Sequence, residues 1–199
     1  DADDTLEPQD ARVHVFGSAV LEVADSNLVI GAPTMDANEL RDTIMGNGLV
    51  AVGDATLTAG ESSAAMFSGG RSVIGMNSGI VLSTGNASIA DDPNFDTASS
   101  GLSTEEGLSD LNQEFGVETQ DATALEFAFN MEADGDLFLN LVFASEEYNE
   151  SVDTDYNDVL AIFVDGENIA LIDGVPISVN SINGGKPSGV NSSNPELFN

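Results

Sequence analysis

The sequence predicts an all-β fold, a jelly-roll-like β-sandwich with two short helices, and three observations carry that expectation. Apolar segments are short and separated by turns rich in glycine and aspartate, with Asp134-Gly135 and Asp165-Gly166 as hairpin signals. Several of these segments alternate apolar and polar residues, the period of a half-buried strand. Only two stretches carry both a start and a stop signal for a helix. Hydrophobic residues make up 41% of the 199, enough for a real core.

Taken in order, residues 1–10 are acidic and polar, carry Pro8, and read as a leader. Arg12 to Val23 is extended in character and rich in β-branched residues, and no hairpin mate follows it. The turn-prone Asp25-Ser26-Asn27 leads to the short apolar run Leu28–Ile30. We therefore expect residues 1–33 to be a leader with an extended strand, a possible donor strand, and residues 34–199 to be the sandwich domain.

Asp36 with Glu39 three residues on forms a capping box, Ala37, Leu40 and Ile44 share one face, and Gly46 stops the helix. Ser103 with Glu106 repeats the device, with Leu108, Leu111 and Phe115 as the stripe and Gly116 as the stop. Strands are expected at Leu49–Val52 and Ser78–Ser83. Another runs from Ala124 to Met131, with Leu125, Phe127 and Phe129 on one face. After Asp134-Gly135, the residues Leu137, Leu139, Leu141 and Phe143 line one face of a further strand. Val159–Val164 and Ile169–Ile172 flank Asp165-Gly166, and Pro176–Ile182 follows. Phe127, Phe129, Leu139, Leu141, Phe143, Ile162 or Phe163, and Val179 are the expected core. Neither an internal repeat nor a linker divides the chain.

The charge is extreme: 35 acidic residues against 4 basic ones give a net charge of −31. Such a chain repels nucleic acid phosphates and anionic lipid surfaces, so neither is an expected partner. It attracts divalent cations and favours high ionic strength, because self-repulsion opposes the compact state and salt at 1 M shortens the Debye length to ~3 Å. The absence of cysteine excludes disulfides and thiolate metal sites. No apolar run reaches the ~18 residues of a membrane span. The opening Asp1-Ala2-Asp3-Asp4 suits a mature end left by signal cleavage.

Phe143-Ala144-Ser145-Glu146-Glu147-Tyr148-Asn149-Glu150 closes an apolar segment and runs on to Tyr156-Asn157-Asp158-Val159. Upstream lies Gly79-Ile80-Val81-Leu82-Ser83-Thr84-Gly85-Asn86, and downstream Pro176-Ile177-Ser178-Val179-Asn180-Ser181-Ile182-Asn183. With Asp121-Ala122 before Leu125-Glu126-Phe127, these phrases resemble the choice-of-anchor L domain, from about Asp36 to the end. The family comprises microbial secreted proteins that join a shared domain to varied surface anchors. The resemblance implies an extracellular or cell-surface location and no catalytic activity, and it brings no ligand residues with it. It also implies further strands beyond Asn199 and an anchor outside the given sequence.

The densest polar cluster is Glu146, Glu147, Asn149, Glu150, Asp153, Asp155, Asn157 and Asp158. Calcium takes six to eight hard oxygens, and carboxylates and amides on a turn supply them. Asp153-x-Asp155-x-Asn157 matches the opening of an EF-hand, but Asp158 stands where glycine is needed and Val164 where the bidentate glutamate belongs, so a loop of other geometry is expected. Without a cation such a cluster raises its own pKa values or opens. Asp91, Asp92, Asn94 and Asp96 form a second, weaker Ca2+ candidate.

An enzyme is not expected. Neighbours Glu146 and Glu147 on a strand point to opposite faces, whereas a glycosidase pair must face one gap of ~5–9.5 Å. His14 is the only histidine, which excludes a Ser-His-Asp triad or a zinc centre. Two non-catalytic classes remain. One is a subunit of an extracellular fibre or biofilm matrix, in which Arg12–Val23 completes the sheet of another copy, the commoner alternative being that this strand pairs within its own domain. The other is a monomeric adhesin for a glycan or protein ligand, although with 6% aromatics and no tryptophan it has little to stack on sugars.

Overall fold

A computed structural model describes residues 9–15, 28–89, 107–149 and 151–198. The strands are β1 (Gln9–Val15), β2 (Val29–Ile30), β3 (Leu49–Thr58), β4 (Ala64–Ser68), β5 (Ser78–Leu82), β6 (Thr123–Met131), β7 (Val159–Val164), β8 (Glu167–Asn168), β9 (Leu171–Ile172) and β10 (Val175–Ser178). Helix α1 (Ala37–Ile44) precedes β3, and α2 (Ser109–Phe115) precedes β6. A seven-stranded sheet runs in the order β3-β6-β1-β7-β10-β9, with β8 on β7, and a three-stranded sheet runs β2-β4-β5. Every named pairing is antiparallel. The expected all-β sandwich with two short helices is the observed architecture.

Strand β7, Val-Leu-Ala-Ile-Phe-Val, shows how the layers form. Leu160 and Ile162 enter a core with Leu125, Phe127 and Phe129 of β6, Leu40 of α1, and Ala64 and Leu82 of the small sheet. The alternate residues Val159, Ala161 and Phe163 join Leu111 and Ala122 in a second core, flanked by Leu108 and Phe115 around α2. Because side chains alternate across a strand, apolar residues at every position mean that both faces are covered. The small sheet and α1 cover one, and α2 covers the other.

Helix α1 starts where the sequence places it. The Asp36 carboxylate accepts from the Glu39 N–H at 3.0 Å. Glu39 does not return the bond, since the Asp36 N–H donates to Thr34 Oγ1 at 3.1 Å. The basic residue Arg41 is buried and donates to the Gly53 carbonyl at 3.0 Å, which pins α1 to the point where β3 shifts register on β6. Helix α2 begins later than expected, with Leu108 rather than Ser103 before it, and ends at Gly116 in the left-handed region at φ 68°. Ser103 and Glu106 lie outside the described residues.

One strand expectation is corrected. Leu137–Phe143 forms no strand: Leu137, Leu139 and Leu141 are 42%, 42% and 37% exposed, and only Phe143 packs against the main core. Asp134-Gly135 therefore closes no hairpin. A strand needs a neighbour's backbone as well as an alternating pattern, and among the described residues no backbone hydrogen bond ties 137–144 to another element. The N-terminal strand, which has no hairpin mate beside it in sequence, pairs within its own chain with two distant strands. Residues Gln9–Val15 pair along their length with Phe129–Thr123, and Ala11–Val15 pair with Val164–Leu160. The remainder of the predicted strand, 16–23, lies outside the described residues. Phe127, Phe129, Ile162, Phe163 and Val179 are buried as expected.

Candidate functional site

The acidic turn begins where the segment after β6 reaches the core. Ser145 and Glu146 are buried, and Tyr148 fits edge-on between Phe143 (centroids 6.4 Å apart) and Phe198 (4.9 Å). Phe143 and Tyr148 thus anchor the two ends of the Ala-Ser-Glu-Glu stretch. The buried Ser145 is its connector. Its hydroxyl donates to Asp158 Oδ2 at 2.5 Å and accepts from the Glu147 N–H at 3.0 Å. The Glu147 carboxylate in turn accepts from the Ser151 hydroxyl.

Three predicted residues are brought into mutual electrostatic reach: Glu146, Glu147 and Asp158. Burial pushes the Asp158 carboxyl above the usual aspartate range, the charges of Glu147 and Glu146 push it further, and the Ser145 hydrogen bond only partly opposes them. Burial, helped by the charge of Asp158, also holds the Tyr148 phenol above its ordinary range. Asn149 Oδ1 is buried and has no hydrogen-bond partner among the described residues.

The rest of the loop is tied to the turn after β10. Asn180 Oδ1 accepts from the Asp153 N–H at 2.7 Å, and its own N–H donates to Asn157 Oδ1 at 2.9 Å. Asn157 is thereby engaged in holding the loop. Asp153 sits at φ 63°, and both it and Asp155 are exposed. Asn183, fully buried, secures the turn: it donates to the Val179 carbonyl at 3.0 Å and accepts from the Gly185 N–H at 3.0 Å.

The predicted set therefore splits into a cluster of buried Glu146 with half-buried Glu147 and Asp158, a half-buried amide (Asn149), a tethering residue (Asn157), and two exposed carboxylates (Asp153, Asp155). Among the described residues no group of three or more histidine or carboxylate side chains stands ready to hold a metal ion. Glu150 and the second candidate, Asp91, Asp92, Asn94 and Asp96, lie outside the described residues. Ser145 and Asn180 were not singled out from sequence as site residues, because a hydroxyl or amide acting as a connector has no local signature. No described helix is long and apolar enough to cross a membrane.

A family model for the choice-of-anchor L domain matches residues 29–199. No curated protein and no solved structure matches the chain. The phrase that carried the resemblance is the one that builds the buried end of the acidic turn, and the match covers both sheets apart from β1. The chain belongs to the choice-of-anchor L domain family, whose membership implies a surface or extracellular protein.

Proposed function

We propose that this domain is a non-catalytic surface or matrix module, stabilised by Ca2+ at its acidic turn, that works by assembling with copies of itself into a fibre or biofilm matrix. The observation that carries the calcium reading is the half-buried Asp158 carboxyl, opposed by the charges of Glu147 and Glu146. A carboxyl whose ionised form is opposed by both desolvation and its neighbours is relieved by a divalent cation, with these three carboxylates as the ligands on offer. The non-catalytic reading is supported by the composition of the groove between β5 and residues 138–144. The groove of about 760 Å³ in this structure is lined by no ionisable side chain.

Thermal melts in chelator and in millimolar calcium, at matched ionic strength, test the reading. A cation bound only by the native state stabilises it by ~2.7 kcal/mol at a hundredfold excess over Kd. Coincident melts overturn the calcium assignment.

A monomeric adhesin is the second reading, and the home pairing of β1 favours it. Strand donation between copies requires β1 to leave both β6 and β7. Electron microscopy with and without calcium separates the two: filaments support the fibre, dispersed particles the adhesin for a glycan or protein ligand.

A further inference from the structure

Residues 137–145, Leu-Phe-Leu-Asn-Leu-Val-Phe-Ala-Ser, contain no charge in a chain of which 20% is charged. Phe138 is 85% exposed, and Leu137, Leu139, Leu141 and Val142 are also exposed. On one side this segment lines the charge-free groove, across from β5, which among the described residues pairs only with β4. A nearly continuous apolar run, broken only by Asn140, with a backbone that no described element pairs has the features of a strand awaiting a partner.

We propose that residues 137–143 form a self-recognition strand, by which two copies of this chain pair antiparallel about a two-fold axis through Asn140. The segment is self-complementary about that residue. Phe138 then faces Val142, Leu139 faces Leu141, and Asn140 faces Asn140, where two amides can hydrogen-bond to each other; Phe143, opposite Leu137, stays in its own core and ends the paired stretch. Every apolar side chain of the paired stretch meets an apolar one on the same face, the unit of sheet stabilisation.

Charge fixes both the partner and the register. Two bodies of net charge −31 repel, so copies can meet closely only where charge is missing. In the symmetric register Asp136 lies opposite Ala144. A slip of two residues sets Asp136 against Val142 in one direction and against Glu146 in the other, burying a carboxylate or opposing two like charges. The contact is isologous, so it closes at a dimer and does not by itself propagate. This inference rests on the reading that copies of the chain are partners, but it involves no calcium, and its test is run in chelator.

The chain has no cysteine, so a single introduced one can form a disulfide only between copies. Opposed residues of antiparallel strands have Cα atoms about 4.5–5.5 Å apart, within disulfide reach. Under mild oxidation in molar salt, Asn140→Cys should give a covalent dimer in several-fold higher yield than Val117→Cys, an exposed apolar position outside the segment. Leu139→Cys and Leu141→Cys should remain largely monomeric alone and cross-link when mixed, because position 139 faces 141. Sedimentation gives an independent reading: wild type should dimerise with rising concentration, and Leu139→Lys, with an unchanged melt, should not. Equal cross-linking at 139, 140, 141 and 117 overturns the proposal, as does a wild type that stays monomeric at high salt. Neither result touches the calcium reading, which the melts decide separately.

Discussion

At Asp158 burial and neighbouring charge act in the same direction, and that gives the residue a sign that can be checked. Its pKa is raised in the folded protein, so the native state holds this proton over a pH range where the unfolded chain, with an aspartate value of ~3.9, has lost it. The contribution of Asp158 to stability is therefore greatest at acid pH and is lost as pH rises through the folded value. In chelator at neutral pH, Asp158→Asn should melt higher than wild type, and the difference should vanish on acidification toward pH 4. In calcium the order should reverse, because the amide keeps one oxygen but brings no charge to the ion. Paired melts across pH, with and without calcium, measure this. An Asp158→Asn protein less stable than wild type in chelator would show that the carboxylate is compensated in some other way.

Among the elements, α1 offers the simplest test. Asp36→Ala removes the acceptor for the Glu39 N–H and should cost about 1 kcal/mol in denaturant unfolding, with an unchanged slope. A neutral result would mean that Thr34, which already accepts from Asp36, takes over the cap. Helix α1 was legible because its cap, stripe and stop all lie within one short window. Strands β6 and β7 were legible because their patterns leave only a sheet as a way to bury Leu125, Phe127 and Leu160. The segment 137–143 is just as apolar, with only Asn140 polar, and is not a strand, because an apolar pattern records a preference and says nothing about a partner. The N-terminal strand was legible as extended, but its partners were not. Its neighbours in sequence offer no mate, and its real mates, β6 and β7, come from far along the chain. At the acidic turn the density of carboxylates was visible, whereas the split between buried Glu146 and exposed Asp155 depends on Ser145 and Asn180, whose role exists only once the turn is folded.

For the molecule as a whole, β1 is the strand on which the large sheet closes. Removing residues 1–15 would leave β6 and β7 with two facing unpaired edges, an aggregation hazard. The truncated protein should melt well below wild type, and a synthetic peptide of residues 9–15 added in trans should restore part of the loss. A truncated protein that melts with wild type would show that β6 and β7 close on each other without it. The position of β1 also bears on when this protein can fold. Strand β1 pairs Val15 with Thr123 on one side and with Leu160 on the other, so the sheet cannot be completed until the segment through Val164 has been synthesised. Such non-local pairing is slow to form, and until then β6 and β7 wait with open edges.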